Sequence, residues 1–372
     1  MRIAIDIRSL IEPFPSGISE YTKQITRALL EADSQNEYHL FINLASKVPD
    51  SVKLLASQDN VYLREWHYPN KLFNAALFLA QQPKLDRLIG GQVDLFFLPN
   101  INFVAISSDC PIVLTIHDIS FRYNSFYSAR GKFWHRVVVP QRLIQQASKI
   151  ITVSASTKQD VLNHYDVPAE RIQVIHHGVD HDRFNNIDET KSDAALNKYG
   201  IVGKYVLYFG TVESRKNISG LIEAWQIVQK KYNTDHQLVI AGRIVDQSLA
   251  RRWPSVRFIG YVDEDAKPHI FQKATVLVYP SYFEGFGLPV LEAMATGLPV
   301  ISSFSTSLSE IAGDAALLVD PYNSEELALA IANVLNDVTL REKMITKGKD
   351  YSKKFTWANT AKQTLNLFKS LE

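Results

Sequence analysis

Short apolar runs rich in β-branched and aromatic residues alternate with helix-period segments along almost the whole chain, and this alternation restricts the fold more than any other feature. In the first half IAIDIRS, YHLFIN, VYLREW, DLFFLPN, IVLTIHD, KIITVSAS and IQVIHHGV read as strands; after Lys204 a second set follows, YVLYFG, QLVIAG, VRFIGYV, TVLVYPS, PVISS and AALLVDP. A strand that is apolar on both faces must be covered on both, and the intervening helices supply the covers, which predicts parallel sheets rather than sandwiches. One such cover is plain: Ile18, Tyr21, Ile25, Ala28, Leu29 and Ala32 share a face of a helix that starts behind the turn-like EPFPSG. DHDRFNNIDETKSDAALNKYG is polar and carries no strand pattern, so it marks the junction of the two sets. The reading is α/β, two tandem doubly wound parallel-sheet domains facing a cleft: 1–180, a connection at 181–203, and 204–355. Residues 356–372 read as a terminal helix with Trp357, Ala361, Leu365, Phe368 and Leu371 available for packing. It is expected to cross back to the first domain, although periodicity by itself does not say which domain it covers.

Composition narrows the partners. The 372 residues suit two domains, each able to bury a core, and 40 Lys+Arg against 39 Asp+Glu give no reason to expect a nucleic-acid partner. Cys110 is the single cysteine, which excludes an internal disulfide framework and a Cys-rich metal site. MRIAIDIRSL has charges inside its apolar run and so does not read as a secretory signal, and no apolar run approaches the roughly 18 residues of a membrane span. A cytoplasmic protein is expected, free or on the membrane surface facing that compartment.

Polar and glycine residues recur just after strands, where such a fold opens its cleft: Gly17 after the first, His117 and Asp118 at the end of IVLTIHD, Arg215 and Lys216 after YVLYFG, Arg243 after QLVIAG, Glu284 after TVLVYPS. In SYFEGFGLPVLEAMATGLPV, Glu284 is followed by Gly285 and Gly287, which let a ligand approach the backbone, and by Pro289 in the first turn of a helix running to Thr296. The N-terminus of that helix suits a diphosphate, and Glu292, one turn further in, suits the vicinal diol of a ribose. The bland alternative makes Glu292 a helix stabiliser and Glu284 a solvated loop acid. In TVESRKNISGLIEAW, Asn217 caps a helix while Arg215 and Lys216 stand before it, as a diphosphate leaving group would require, or as a surface pair.

These residues resemble the retaining GT-B glycosyltransferases of family 4, bacterial mannosyltransferases of polysaccharide and lipopolysaccharide O-antigen assembly among them. The likeness rests on Glu-x7-Glu from Glu284 to Glu292, G-T-x-E-x-R-K-N from Gly210 to Asn217, T-V-S-x-x-[ST] from Thr152 to Thr157, HHGVD from His176 to Asp180, and SLSEIAGDAALLVDP. It implies two Rossmann-like domains and a catalytic set of His117, Glu284, Arg215 and Lys216. The implied donor-binding set is Gly17, Arg243, Gly285, Phe286, Gly287, Leu288 and Glu292. Arg215 and Lys216 would neutralise the donor diphosphate as a metal does elsewhere, Glu292 would hold the ribose, Glu284 the transferred sugar, and His117 would lie by the anomeric centre. The resemblance implies a nucleotide-sugar substrate, GDP-mannose favoured, with no cofactor and no metal, and a glycan or polyprenyl-diphosphate-linked acceptor. UDP- or dTDP-sugars are the alternative donors. Ser309, the His176–His177 pair and Arg243 depart from the family's usual Pro, Pro-Asn and Lys.

Asp180 with Asp182 and Asp263 with Asp265 are D-x-D triplets, a spacing that holds a divalent metal on a sugar nucleotide in GT-A enzymes. A noncatalytic nucleotide-sugar-binding protein would use the same fold, whereas a dinucleotide oxidoreductase would need G-x-G-x-x-G after the first strand. Finally, Ile119 to Gln159 contains seven Lys/Arg and no Asp/Glu, interleaved with Phe121, Tyr123, Phe126, Tyr127, Phe133 and Trp134. That stretch is either a sheet-packed helix with a solvated basic side or a surface for anionic lipid or a lipid-linked acceptor.

Overall fold

The computed structural model describes residues 1–11, 16–45, 47–123, 140–232, 234–244, 252–253 and 255–372. Residues 124–139 of the basic aromatic stretch, with Phe126, Tyr127, Phe133 and Trp134, lie outside them. The chain divides into two compact units, Met1–Gly178 with Trp357–Glu372, and Val179–Thr356.

The first unit is built on β1 (Arg2–Asp6), β2 (Glu37–Asn43), β3 (Val61–Trp66), β4 (Leu95–Leu98), β5 (Ile112–Ile116), β6 (Lys149–Thr152) and β7 (Ile172–Val174). They form one sheet in the order β3-β2-β1-β4-β5-β6-β7, every described pairing parallel. The chain winds outward from β1 in one direction and from β4 in the other, so a crevice opens at the carboxyl ends of these two neighbours. Helix α1 (Gly17–Ala32) covers one face; Ser16 caps it, its Oγ accepting the Ser19 N–H at 3.3 Å. Ile3, Ile5, Leu29 and Phe97 share that core with Trp357, Ala361 and Phe368 of the terminal helix. On the other face Ala4, Phe96, Leu114 and Ile144 form a second core. Both faces are covered, which is why β4 and β5 read as uninterrupted apolar runs. Helix α2 (Ala155–His164) follows β6, capped by Ser154, whose Oγ accepts the Thr157 N–H at 3.0 Å.

The second unit repeats the plan. Strands β8 (Tyr205–Phe209), β9 (Gln237–Ala241), β10 (Arg257–Gly260), β11 (Val276–Tyr279), β12 (Val300–Ser303) and β13 (Leu317–Val319) run parallel in the order β10-β9-β8-β11-β12-β13. Here the switch falls between β8 and β11. Residues 181–203 belong to this unit and are largely helical, α3 (His181–Asn185) and α4 (Glu189–Lys198), capped by Asp180 and Asp188. The remaining helices that bear on function are α5 (Ile218–Tyr232), α6 (Lys267–Lys273), α7 (Leu288–Thr296), α8 (Ser307–Ala312), α9 (Ser324–Asn336) and α10 (Val338–Ser352). The chain then rejoins the first unit through α11 (Trp357–Lys369). Among the described residues no helix is long and apolar enough to cross a membrane.

Candidate functional site

The loops after β8 and β11 hold the densest group of buried charges, at the place where the strand order predicts a ligand. Two glycines, Gly210 after β8 and Gly242 after β9, allow the backbone to cross closely. A Cβ on Gly242 would lie 2.0 Å from the Gly210 carbonyl oxygen, and both residues take positive φ. A short turn then delivers Arg215 and Lys216 and ends at Asn217, in left-handed conformation at φ 57°. The Asn217 Oδ1 accepts the Gly220 N–H at 3.2 Å and its Nδ2 donates to the Pro321 carbonyl at 2.6 Å, which caps α5 as the sequence suggests. The Tyr282 N–H donates to the Arg215 carbonyl at 2.8 Å, tying this loop to the one after β11.

On that second loop Glu284 is 6% exposed and Lys216 equally so. Lys216 Nζ donates to Glu284 Oε1 and, at 2.8 Å, to the Tyr279 hydroxyl. Arg215 Nη1 donates to Glu284 Oε2 and to the Phe283 carbonyl, each at 3.1 Å, while its Nε pairs with Glu213 Oε1 at 2.8 Å. The Thr306 hydroxyl accepts the Glu284 N–H and donates to the Glu284 carbonyl, both at 3.0 Å, and Ser307 Oγ donates to that carbonyl at 2.9 Å. Burial pushes the Glu284 carboxyl up, but Lys216 and Arg215 outweigh it and hold it at about 2. Burial and the neighbouring guanidinium lower the Lys216 ammonium from its ordinary value. Two cations and two carboxylates thus alternate, Lys216 and Glu284 buried and Arg215 and Glu213 half-buried, shortly before α7, where Gly287 at φ +98° turns the chain into the helix. Such an array offers preorganised positive charge next to a helix N-terminus, an arrangement suited to phosphate oxygens.

Glu292 lies in α7 itself, 4% exposed, with Oε1 2.5 Å from Lys267 Nζ. Gly285 and Phe286 are buried, the Phe286 ring packing edge-on to Phe355 at 6.3 Å, and Leu288 is half-buried. Arg243 stands past β9 and is exposed, so the structure does not gather it into the Arg215–Glu284 cluster.

His117 and Gly17 belong to the first unit. His117 follows β5 with Nε2 2.9 Å from the Pro99 carbonyl, which closes β4's loop. Its ring meets Tyr21 edge-on at 4.7 Å and His177 at 5.4 Å; His177 in turn stacks on Trp357 at 5.8 Å. Burial lowers both histidines, His177 furthest. Gly17 opens α1, and among the described residues a Cβ added there meets nothing within 4 Å, so nothing in the chain's own packing requires glycine.

Neither D-x-D triplet presents an open pair. Asp180 accepts the Arg183 N–H at 3.1 Å as the cap of α3, and Asp263 is held by Lys198 and by the Tyr199 hydroxyl at 3.0 Å. Among the described residues no group of three or more His, Cys, Asp or Glu could hold a metal ion. The sequence reading missed Lys267, Tyr279, Thr306 and Ser307. Lys267 sits in the polar VDEDAKP and looks like a surface residue until α6 brings it to Glu292; the others act through backbone or hydroxyl contacts that have no sequence signature.

Two domain models match the chain, Glycosyltransferase Family 4 over residues 15–183 and Glycosyl transferases group 1 over residues 193–351. The O-antigen chain mannosyltransferase B of Escherichia coli is 32% identical over 270 residues, covering 70% of this chain and 70% of that protein. O-antigen chain mannosyltransferase RfbU of Salmonella typhimurium is 30% identical over 230 residues, 59% of this chain and 60% of that protein. The crystal structure of Anabaena Alr3699/HepE in complex with UDP and glucose matches with a TM-score of 0.73 over 100% of both chains, at 17% identity. Two Rossmann-like parallel sheets and a charged cluster at a strand switch define the class, a glycosyltransferase of GT-B fold. Within it the chain belongs to family 4.

Proposed function

We propose that the protein is a retaining, metal-independent hexosyltransferase that moves mannose from GDP-mannose to a hydroxyl of a glycan or lipid-linked glycan. The observation that carries this is the convergence of Arg215 and Lys216 on one buried carboxylate beside the start of α7. The mannosyltransferase names of the two curated relatives support the sugar. In the proposed step the C1–O bond to the β-phosphate breaks and the acceptor oxygen forms its bond to C1 on the same face. The acceptor proton passes to the departing phosphate. Arg215 and Lys216 neutralise the leaving group, Glu284 holds sugar hydroxyls, and His117 contacts the transferred sugar. With its oxygens engaged by two cations, Glu284 is a weak nucleophile, which favours the front-face route over a covalent intermediate. Glu292 holds the ribose, Gly17 leaves room for donor and acceptor, and Arg243 supplies an outer cation.

A thermal-shift panel of GDP-, UDP- and dTDP-sugars followed by turnover in EDTA tests the reading. GDP-mannose should give the largest stabilisation by mass action, and transfer should continue in EDTA with an α-configured product. A larger shift with a UDP- or dTDP-sugar reassigns the donor, rescue by Mn²⁺ only reinstates a metal, and binding without nucleoside diphosphate release leaves a noncatalytic sugar-nucleotide protein. The proposed place of work is the cytoplasm, free or on the membrane face, and cosedimentation indifferent to anionic lipid would remove the lipid-surface alternative for residues 119–159.

A further inference from the structure

We infer that Lys267 is a positioning residue for nucleotide recognition: it sets the Glu292 carboxylate in the orientation that receives the donor's ribose diol. The inference rests on the proposed role of Glu292. Three observations converge on it. Lys267 occupies the first position of α6, where a helix disfavours a cation. It is 7% exposed, and its ammonium is enclosed by aromatic faces, 5.0 Å from the Phe209 ring centroid and 5.8 Å from that of Phe184. An apolar side chain would pack between those rings without the desolvation that a buried ammonium suffers, so stability alone does not account for a lysine. Its Nζ meets Glu292 Oε1 at 2.5 Å, a buried pair with side-chain exposures of 8% and 5%.

Phe209 ends β8 and α7 follows β11, so the pair stands at the same strand switch as the Arg215–Glu284 cluster. A carboxylate anchored through one oxygen has its rotation fixed. A vicinal diol is recognised only if the acceptor oxygens are so fixed, because two hydroxyls must be met at once. Lys267 therefore acts through Glu292 and not on the substrate.

The test compares GDP with 2′,3′-dideoxy-GDP, and UDP with its dideoxy form, by calorimetric titration of the wild type, K267M, K267R and E292Q. Wild type should prefer the ribonucleotide by roughly tenfold or more, the worth of hydrogen bonds to a charged acceptor. E292Q and K267M should each bring the two affinities to within about twofold, and K267R should restore most of the preference. In turnover, K267M should raise KM for the sugar nucleotide more than it lowers kcat. If K267M weakens both nucleotides equally and keeps the preference, Lys267 is structural and the inference is overturned. If E292Q keeps the preference, or wild type has none, the ribose role of Glu292 fails first and the inference falls with it. K267Q is read in the same way if K267M does not fold.

Discussion

Glu284 is the residue on which the charges after β8 depend, since Lys216 and Arg215 both find a counter-charge there. Removing one partner of such a pair leaves the other charged and dry, a loss of about 3–5 kcal/mol, so alanine at 284 would confound folding with chemistry. Glu284→Gln keeps the shape and a hydrogen-bond acceptor. Steady-state kinetics should show turnover lower by about 10²–10³, with the circular dichroism spectrum unchanged. Lys216→Met should lose a similar factor through the leaving group, and wild-type rates in both variants would remove the cluster from catalysis. The pH dependence of stability follows from the same carboxyl. Its folded value of about 2 lies below the ordinary 4.5, so the folded state holds that proton less tightly than the unfolded one. The stabilisation is complete above about 4.5 and is lost as pH falls through about 2, on the order of 3 kcal/mol in all. Urea midpoints taken between pH 5 and pH 2.5 should fall more steeply for wild type than for Glu284→Gln.

At the scale of elements, α7 must begin where its backbone can face a ligand, and Gly287 makes that start. Its φ of +98° is strained for any other residue, and a Cβ would lie 2.6 Å from Leu308 Cδ2 of α8. Gly287→Ala should cost about 1–3 kcal/mol in chemical denaturation and weaken nucleoside diphosphate binding. Adding Leu308→Ala should relieve the clash without recovering affinity, because the dihedral strain remains. In the first unit α1, the ends of β5 and β7, and α11 bring Tyr21, His117, His177 and Trp357 together as one aromatic group. Both histidine rings are lowered by burial, so their share of stability is present above the ordinary 6.5 and declines as pH drops below it. His177→Phe keeps a stacking ring without a proton site, and its urea midpoint should change less than that of wild type between pH 7.5 and 5.5. The strands, α1 and α7 were legible because a sheet covered on both sides demands continuous apolar runs, and because Pro289 and the glycines before it mark a helix start. The Lys267–Glu292 pair and the ring group were not, since each joins residues far apart in the chain that only sheet order makes neighbours. The polar stretch 181–203 resembled a connection for a related reason: short capped helices bury few side chains, so their composition is that of a loop.

For the whole molecule, the decisive fact is that one unit is continuous in sequence and the other is not. Val179–Thr356 has both its ends at the unit boundary, whereas the first unit is completed only when the chain returns with Trp357–Glu372. The returning helix is not peripheral: Trp357, Ala361, Leu367 and Phe368 are part of the core that contains Ile3, Ile5 and Leu29, and the Phe368 ring meets Phe97 of β4 at 5.3 Å. Thr360 Oγ1 also donates to the His176 carbonyl at 2.8 Å, next to the residue that stacks on Trp357. Ending the chain after Thr356 should therefore uncover an apolar face of the first unit while removing nothing from the second. Burial of each large side chain is worth roughly 1.5–3 kcal/mol, so losing Trp357, Leu367 and Phe368 together removes an amount comparable with the whole stability of an ordinary domain. In calorimetry the truncated chain should lose one unfolding transition and gain dye binding characteristic of exposed apolar surface, while nucleoside diphosphate still raises the remaining transition by mass action. Replacing only Trp357 and Phe368 by alanine should lower the first transition without abolishing it and leave the ligand-shifted one in place. A single cooperative transition that moves as a whole in every variant would show instead that the two units fold as one.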